Sequence, residues 1–375
     1  VTPARPLLAA AAWLCVLCIP SWRAQGAEDG FEYVVRLAVC RDTAAVRVQA
    51  RELAVRDADV LDVLVRRVDH ELTIRAVGEV LDIPGVKHRP RGALLVARGP
   101  IQVDGRSLVG EVEILAEGGR GLLVVNRLPL ERYLEGLLGA EMSASWPLEA
   151  LKAQAVAARS YFLHRRLARE SEPFDLSVTT LDQVYKGIGR EAASTRQAVQ
   201  ATRGEVLTHG NLPAESLFHG CCGGRTRSAE QVFGQAVPYL RAVEDPDCAA
   251  CPGRAWRVSV PMTRLEERLR ARKELSGAIR EVQPGERGGL SVRGATGAPL
   301  ELSPRKLRQV MGATLIPSDD FTWRLADGSL ELSGRGQGHG VGMCQWGARG
   351  MAERGKNHRE ILARFYPGCN LRKLY

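Results

Sequence analysis

The chain has 375 residues, 45% hydrophobic and 25% charged, with a formal net charge of +9. That length excludes a disulfide-stapled mini-protein and allows either several packed layers or two modest domains that share a groove. The 52 Lys and Arg are dispersed among 43 Asp and Glu, without a run of five like charges, so nucleic acid is not the expected partner.

Residues 1–27 read as a secretory signal. Arg5 precedes an apolar run from Leu7 to Ile19, and the small residues Ala24 and Gly26 follow it. The run is too short to span a bilayer, and no later segment is apolar for long enough. Neither Cys15 nor Cys18 follows the small residue that a lipoprotein signal places there. The expected product is exported to the periplasm or cell wall with no stable transmembrane segment, a retained anchor being the alternative.

Residues 28–126 form the N-terminal β-rich part. Phe31 to Val39, Ala44 to Val48, Leu72 to Val77 and Ala93 to Ala97 alternate and are rich in β-branched residues, while Asp104-Gly105 and Gly118-Gly119 sit where hairpin turns belong. In residues 127–203 the period changes to that of helices. Leu128 to Ala140 reads as one helix and Pro147 to about Glu170 as a longer one, with Ser145 as its candidate N-cap and Leu148, Leu151, Ala155, Ala158 and Phe162 as a buried stripe. Glu141 then falls in the turn between two helices. A short helix follows from Glu191 to Thr202.

Residues 204–375 return to β structure, with strands at Glu205 to Leu207 and Ala214 to His219, helices at Met262 to Lys273 and Pro304 to Gly312, and a hairpin turn at Asp327-Gly328. The chain closes with a helix from about Val341 to Arg354 and another, ending at Tyr366, that opens on Asn357 with Glu360 as a capping box. The fold class is α+β: an antiparallel β-rich body with a helical insertion carrying Glu141, and a C-terminal helical segment.

Two groups of residues suggest chemistry by spacing. His219, Cys221 and Cys222 precede Cys248 and Cys251, the pattern of a closed structural zinc site with His219, Cys222, Cys248 and Cys251 as ligands. Disulfides are the competing reading in an exported chain; seven cysteines remain after the signal, so full pairing within one chain fails. Both readings stay open. The second group, Gly334 to Gly342, matches neither the dinucleotide fingerprint nor the phosphate loop. Its glycines let the backbone approach a ligand or neighbour closely at His339; the plainer reading is tight turns around a satisfied core histidine.

Four ordered stretches carry a resemblance: Asn126 to Glu131 with Tyr133-Leu134, Gly139-Ala140-Glu141-Met142 leading into Trp146 to Arg159, Gln183 to Gly187, and Gly336 to Ala348. Together they resemble the SpoIID/LytB family, named after stage II sporulation protein D and an amidase enhancer, over nearly the whole mature chain. The resemblance implies a lytic transglycosylase acting on peptidoglycan glycan strands stripped of stem peptides, with Glu141 catalytic. The glycine density of the loop further places His339 beside Glu141, where with Gln183 and Tyr185 it is expected to line one groove wide enough for a sugar chain; Gln345 and Arg159 are expected to bind substrate too, a cell-wall amidase is the expected partner, and no cofactor is expected to be required for catalysis. Ser143 stands where many relatives have proline, and Gln337 where tryptophan is common.

The chemistry of such an enzyme is economical in residues. Hydrolysis of a glycosidic bond by retention or inversion uses two carboxylates. If instead the muramic acid C6 hydroxyl attacks its own C1, one glutamate serves as acid and then base, giving a 1,6-anhydro product. That glutamate needs a raised pKa, for which Leu138, Met142 and Trp146 are the apolar candidates. The alternatives are a non-catalytic glycan binder that stimulates an amidase, and a zinc hydrolase built around His219 and Cys248.

Overall fold

The computed structural model describes residues 32–67, 70–178 and 191–375. The expected signal at 1–27, and with it Gln183 and Tyr185, lies outside the described residues.

Alternating sequence produces two antiparallel sheets in the N-terminal part. The seven-stranded sheet runs in the order Leu176–Ser177, Val34–Thr43, Leu122–Pro129, Glu111–Ala116, Gly92–Val96, Leu53–Asp57 and Val63–Arg67. Only its first pair is parallel. The five-stranded sheet runs Val80–Asp82, His70–Val77, Ala45–Ala50, Ile101–Val103 and Arg106–Leu108. Val46, Val48, Leu72 and Ile74 from the second sheet join Val35, Leu37, Leu95 and Ile114 from the first in one core. Asp104 and Gly105, at φ 47° and 80°, make the turn between paired Val103 and Arg106. Both residues are left-handed, as a two-residue hairpin demands.

Eight α-helices occur among the described residues: α1 (Leu130–Glu141), α2 (Leu148–Ala168), α3 (Ala193–Ala201), α4 (Ala229–Phe233), α5 (Met262–Ala271), α6 (Pro304–Met311), α7 (Gln345–Glu353) and α8 (His358–Phe365). Helix α2 is the axle. Apart from Lys152, its residues from Ala150 to Leu163 are all buried, which is more than a stripe. Its alanines let α1, α3, α7, α8 and the strand Glu205–His209 approach from different sides. The entry to α2 also differs from expectation: Pro147 is the N-cap, and the Ser145 hydroxyl bonds to Ser143 Oγ at 2.9 Å instead of capping. Proline at that point already fixes φ for helix entry.

Between Ala255 and Arg335 the chain leaves this core and builds its own. Leu265 and Leu269 of α5, and Leu307, Val310 and Met311 of α6, pack with Val260, Leu290, Val292, Leu330 and Leu332. Two three-stranded antiparallel sheets frame that smaller lobe, one of them ordered Ala255–Pro261, Ser329–Arg335 and Phe321–Ala326. The Asp327-Gly328 turn closes its hairpin, both residues having positive φ.

The C-terminal segment returns to the larger body. Helix α7 begins only at Gln345, because Met343–Cys344 pairs in parallel with Phe218–His219 as a short strand. Asn357 caps α8 through Oδ1, and Glu360 completes the box at the Asn357 N–H. A final strand, Asn370–Lys373, then pairs with Glu205–His209.

Candidate functional site

Glu141 is the last residue of α1, not a residue of the following turn. It is half-buried, one turn after buried Leu137 and Leu138 and directly before buried Met142. One glutamine comes to it from far away in the chain, and a second holds that one in place. Gln345 Nε2 donates to Glu141 Oε2 and to Gln154 Oε1, each at 3.4 Å. Gln345 is 6% exposed and Gln154 is fully buried, so Gln154 holds the Gln345 amide in place and that amide presents a fixed dipole to the carboxyl group. Gln345, expected to touch substrate, is thus in contact with Glu141 itself.

An aromatic ledge is built from Trp346, the chain neighbour of Gln345, and Trp146, five residues after Glu141. Trp346 meets Trp146 edge to face with ring centroids 5.1 Å apart. The Arg349 guanidinium lies 4.8 Å from the Trp346 ring centre and 5.4 Å from that of Trp146. Half-buried rings of this kind are what a sugar's C–H face packs against. Trp146 stood out in the sequence as an apolar neighbour; Trp346 and Gln154 were missed, since each sits inside a helical pattern that burial alone explains.

Arg159 departs from its expected role. It is fully buried, and its Nε and Nη2 donate to Glu131 at 2.9 and 2.7 Å while Nη1 donates to the Glu205 carbonyl at 3.1 Å. Tyr375 donates its hydroxyl to the same carboxylate. This guanidinium holds α1, α2 and the strand Glu205–His209 together, and solvent does not reach it.

His339 is placed by the glycine loop against other partners. Its Nδ1 accepts from the Val341 N–H at 3.1 Å, it hydrogen-bonds the Phe218 backbone, and its ring lies 5.6 Å from that of His219 and 5.7 Å from that of Phe233. Burial, together with His219 beside it, pushes its pKa down to about 3. Glu141 is not among these partners. Gly338 and Gly342 have positive φ, and a Cβ at Gly342 would overlap the Leu217 carbonyl. The glycines therefore serve a close approach between two pieces of backbone.

The cysteines converge in a different set from the one that spacing suggested. Cys222, Cys248, Cys344 and Asp245 are all buried, and their ligand atoms lie within 4.8 Å of one another. Cys222 Sγ is 3.5 Å from Cys248 Sγ and 3.1 Å from Asp245 Oδ2. Cys251 approaches through Cys221, whose hydrogen bond holds its thiol below the usual range against the opposing effect of burial. His219 points elsewhere: its Nδ1 donates to the Val341 carbonyl at 3.1 Å, leaving Nε2 buried without a hydrogen-bond partner among the described residues. Cys344 could have been suspected because it lies in the last motif, but nothing in the sequence marks Asp245.

This donor set suits a cation of zinc's kind. Three backbone N–H groups already point at sulfur: Cys222 and Gly347 donate to Cys344 Sγ at 3.3 and 3.2 Å, and Gly224 donates to Cys222 Sγ at 3.4 Å. Such bonds stabilise thiolates. Burial, with Cys222 alongside, raises the Asp245 carboxyl to about 7, the mark of acidic groups crowded together without a counter-charge. A Cβ at Gly347 would overlap the Asp245 carboxylate, so only glycine admits this arrangement. Three sulfurs and one oxygen would close a tetrahedral shell with no open position.

Comparison with known proteins follows the same segments. The family described as "SpoIID: Stage II sporulation protein" matches residues 118–209, from the end of the N-terminal sheets through α1, α2 and α3. The chain is 38% identical over 257 residues to an uncharacterised protein of Brachyspira hyodysenteriae, covering 67% of this chain and 68% of that one. It is 31% identical over 262 residues to stage II sporulation protein D of Bacillus subtilis, covering 66% of this chain and 75% of the relative. Similarity to the amidase enhancer of Bacillus subtilis is 28% over 291 residues, covering 64% of this chain and 40% of that protein.

Proposed function

The chain belongs to the stage II sporulation protein D family, and we propose on that footing that it is an exported peptidoglycan lytic transglycosylase. Its substrate is glycan strand lacking stem peptides, and Glu141 is its general acid and base. The observation that carries this reading is the convergence on Glu141 of Gln345, from a segment 204 positions away that also brings Trp346 against Trp146.

In this mechanism the Gln345 amide, donating to Glu141 Oε2, orients the carboxyl group. Protonated Glu141 gives its proton to the glycosidic oxygen leaving the muramic acid C1, and the C1–O bond breaks. The resulting carboxylate takes the proton from the muramic acid C6 hydroxyl as O6 bonds to C1. Glu141 ends as it began, water does not enter, and the product carries a 1,6-anhydro ring. No metal takes part in these steps. Where Cys222, Cys248, Cys344 and Asp245 hold zinc, the ion is structural and ties the loop at Cys222, the segment around Cys248 and the start of α7 into one unit.

The test is mass spectrometry of products from peptide-free glycan. The parent protein is expected to yield anhydro-muramic ends, and Glu141→Gln to lower the rate to or below detection, since acid and base roles are each worth about two to four orders of magnitude. Products with free reducing ends would mean that water attacks, with a second carboxylate, and would overturn the reading. Glycan binding without cleavage by the parent would instead favour a non-catalytic partner of a cell-wall amidase, the reading to which the amidase-enhancer relative lends support.

A further inference from the structure

Glu141 lines neither of two clefts that meet at one ion pair elsewhere on the molecule. Arg335 Nε donates to Asp320 Oδ2 at 2.6 Å, and this pair borders both. One cleft, of about 310 Å³, extends over the larger body past Arg225, Arg227 and Gln231. The other, of about 650 Å³, lies on the smaller lobe and is lined by Trp256, Phe321, Thr322 and Ser333 among others. The pair thus lines a cleft on each of the two parts of the chain.

The aromatic floor of the larger cleft is built, not incidental. Trp256, Gly334 and Phe321 stand side by side across three paired strands. The Trp256 indole N–H donates to Ser318 Oγ at 3.1 Å, which fixes the ring, and a Cβ at Gly334 would overlap that indole. The Phe321 ring centre is 5.9 Å away. Both rings are half-buried.

These groups together have the chemistry of carbohydrate recognition. A pyranose presents an apolar C–H face to an aromatic ring and neighbouring hydroxyls to planar carboxylate and guanidinium groups. The cleft is large enough for a small ligand, and Thr322 and Ser333 add hydroxyls that both donate and accept. Of the four guanidiniums that line the two clefts, Arg335 is paired with Asp320 and Arg225 with Glu244 at 2.7 Å, which leaves Arg227 and Arg257 to face an anion, the competing ligand for which inorganic phosphate is the probe. We infer that the Trp256–Phe321 cleft, with the Asp320–Arg335 pair, is a second glycan-holding subsite that binds sugar residues outside the reacting pair. This inference rests on glycan being the substrate.

Calorimetry on the full chain carrying Glu141→Gln, titrated with peptide-free glycan strands and with chitin oligosaccharides, separates this inference from the reaction. Adding Asp320→Asn or Arg335→Gln is expected to weaken both ligands about tenfold, the scale of one charge-assisted hydrogen bond. Glycan is also expected to quench a tryptophan signal that Trp256→Phe removes, a change that keeps an aromatic ring on the lobe's core. Unchanged affinity in both charge variants, or displacement of glycan by inorganic phosphate, would overturn the subsite. Charge-variant sensitivity in a protein whose parent forms no anhydro ends would retain the subsite and reject the reaction; cleavage with unchanged binding would do the reverse.

Discussion

Substitution of Arg159 by methionine separates a structural guanidinium from a substrate-binding one. Arg159 has no exposed surface and Glu131 has 6%, and the two share a bidentate contact of 2.7 and 2.9 Å. Methionine fills much of the same volume but leaves the Glu131 carboxylate buried with the Tyr375 hydroxyl, and the Glu205 carbonyl without the Arg159 donor. Breaking a buried pair on one side costs about 3–5 kcal/mol, mostly through the uncompensated charge. Removing both charges, as Glu131→Leu with Arg159→Met, is expected to return stability to within about 2 kcal/mol of the parent, because that desolvation penalty disappears as well. Urea denaturation followed by far-ultraviolet circular dichroism measures both differences. The smaller lobe has a separate hydrophobic cluster, so the loss belongs in the transition of the larger body. An Arg159→Met protein that unfolds at the parent's midpoint and loses only glycan affinity would refute the structural assignment.

Gln345→Leu is expected to lower kcat by up to about a hundredfold with little change in KM, because a misplaced catalytic group loses rate more than binding; a KM effect alone would return Gln345 to the substrate. Burial raises the Glu149 carboxyl, yet hydrogen bonds from Lys152 and from the backbone and ring of His358 outweigh this and hold it at about 2 against an ordinary 4.5. Its folded pKa lies below its unfolded one, so the stabilisation is complete above about 4.5 and is lost as pH falls through about 2. Parent and Glu149→Gln should therefore differ in urea midpoint near neutrality and converge in acid, and a constant difference across that range would contradict the assignment. Purified protein is expected to carry zinc by elemental analysis. Cys344→Ser or a strong chelator should then lower the thermal midpoint while single-turnover cleavage by the remaining folded protein persists; metal-free protein with an unshifted midpoint would dismiss the metal.

The sequence by itself determined those features whose physics is local. Alternation marked the first strands, the left-handed pairs Asp104-Gly105 and Asp327-Gly328 marked hairpins, and Asn357 with Glu360 marked the start of α8. Each depends on a residue and its near neighbours, so the chain states it directly. The motif around Glu141 singled that residue out, and the sequence placed the end of its helix one position early.

Tertiary structure decided which distant residues share a site. Cys-x-x-Cys spacing suggested His219 as a fourth ligand, but parallel pairing of Phe218–His219 with Met343–Cys344 sets the imidazole against Val341 and brings Cys344 to the thiols instead. Asp245 joins them only because Gly347 leaves room for its carboxylate. Arg159 was expected to bind substrate, yet α2 is enclosed on nearly every side, and burial obliges the guanidinium to pair with Glu131. A pattern of residue types fixes how each turn of backbone folds; the contacts between Glu141, Gln154 and Gln345 exist only once the faces of α1, α2 and α7 have packed.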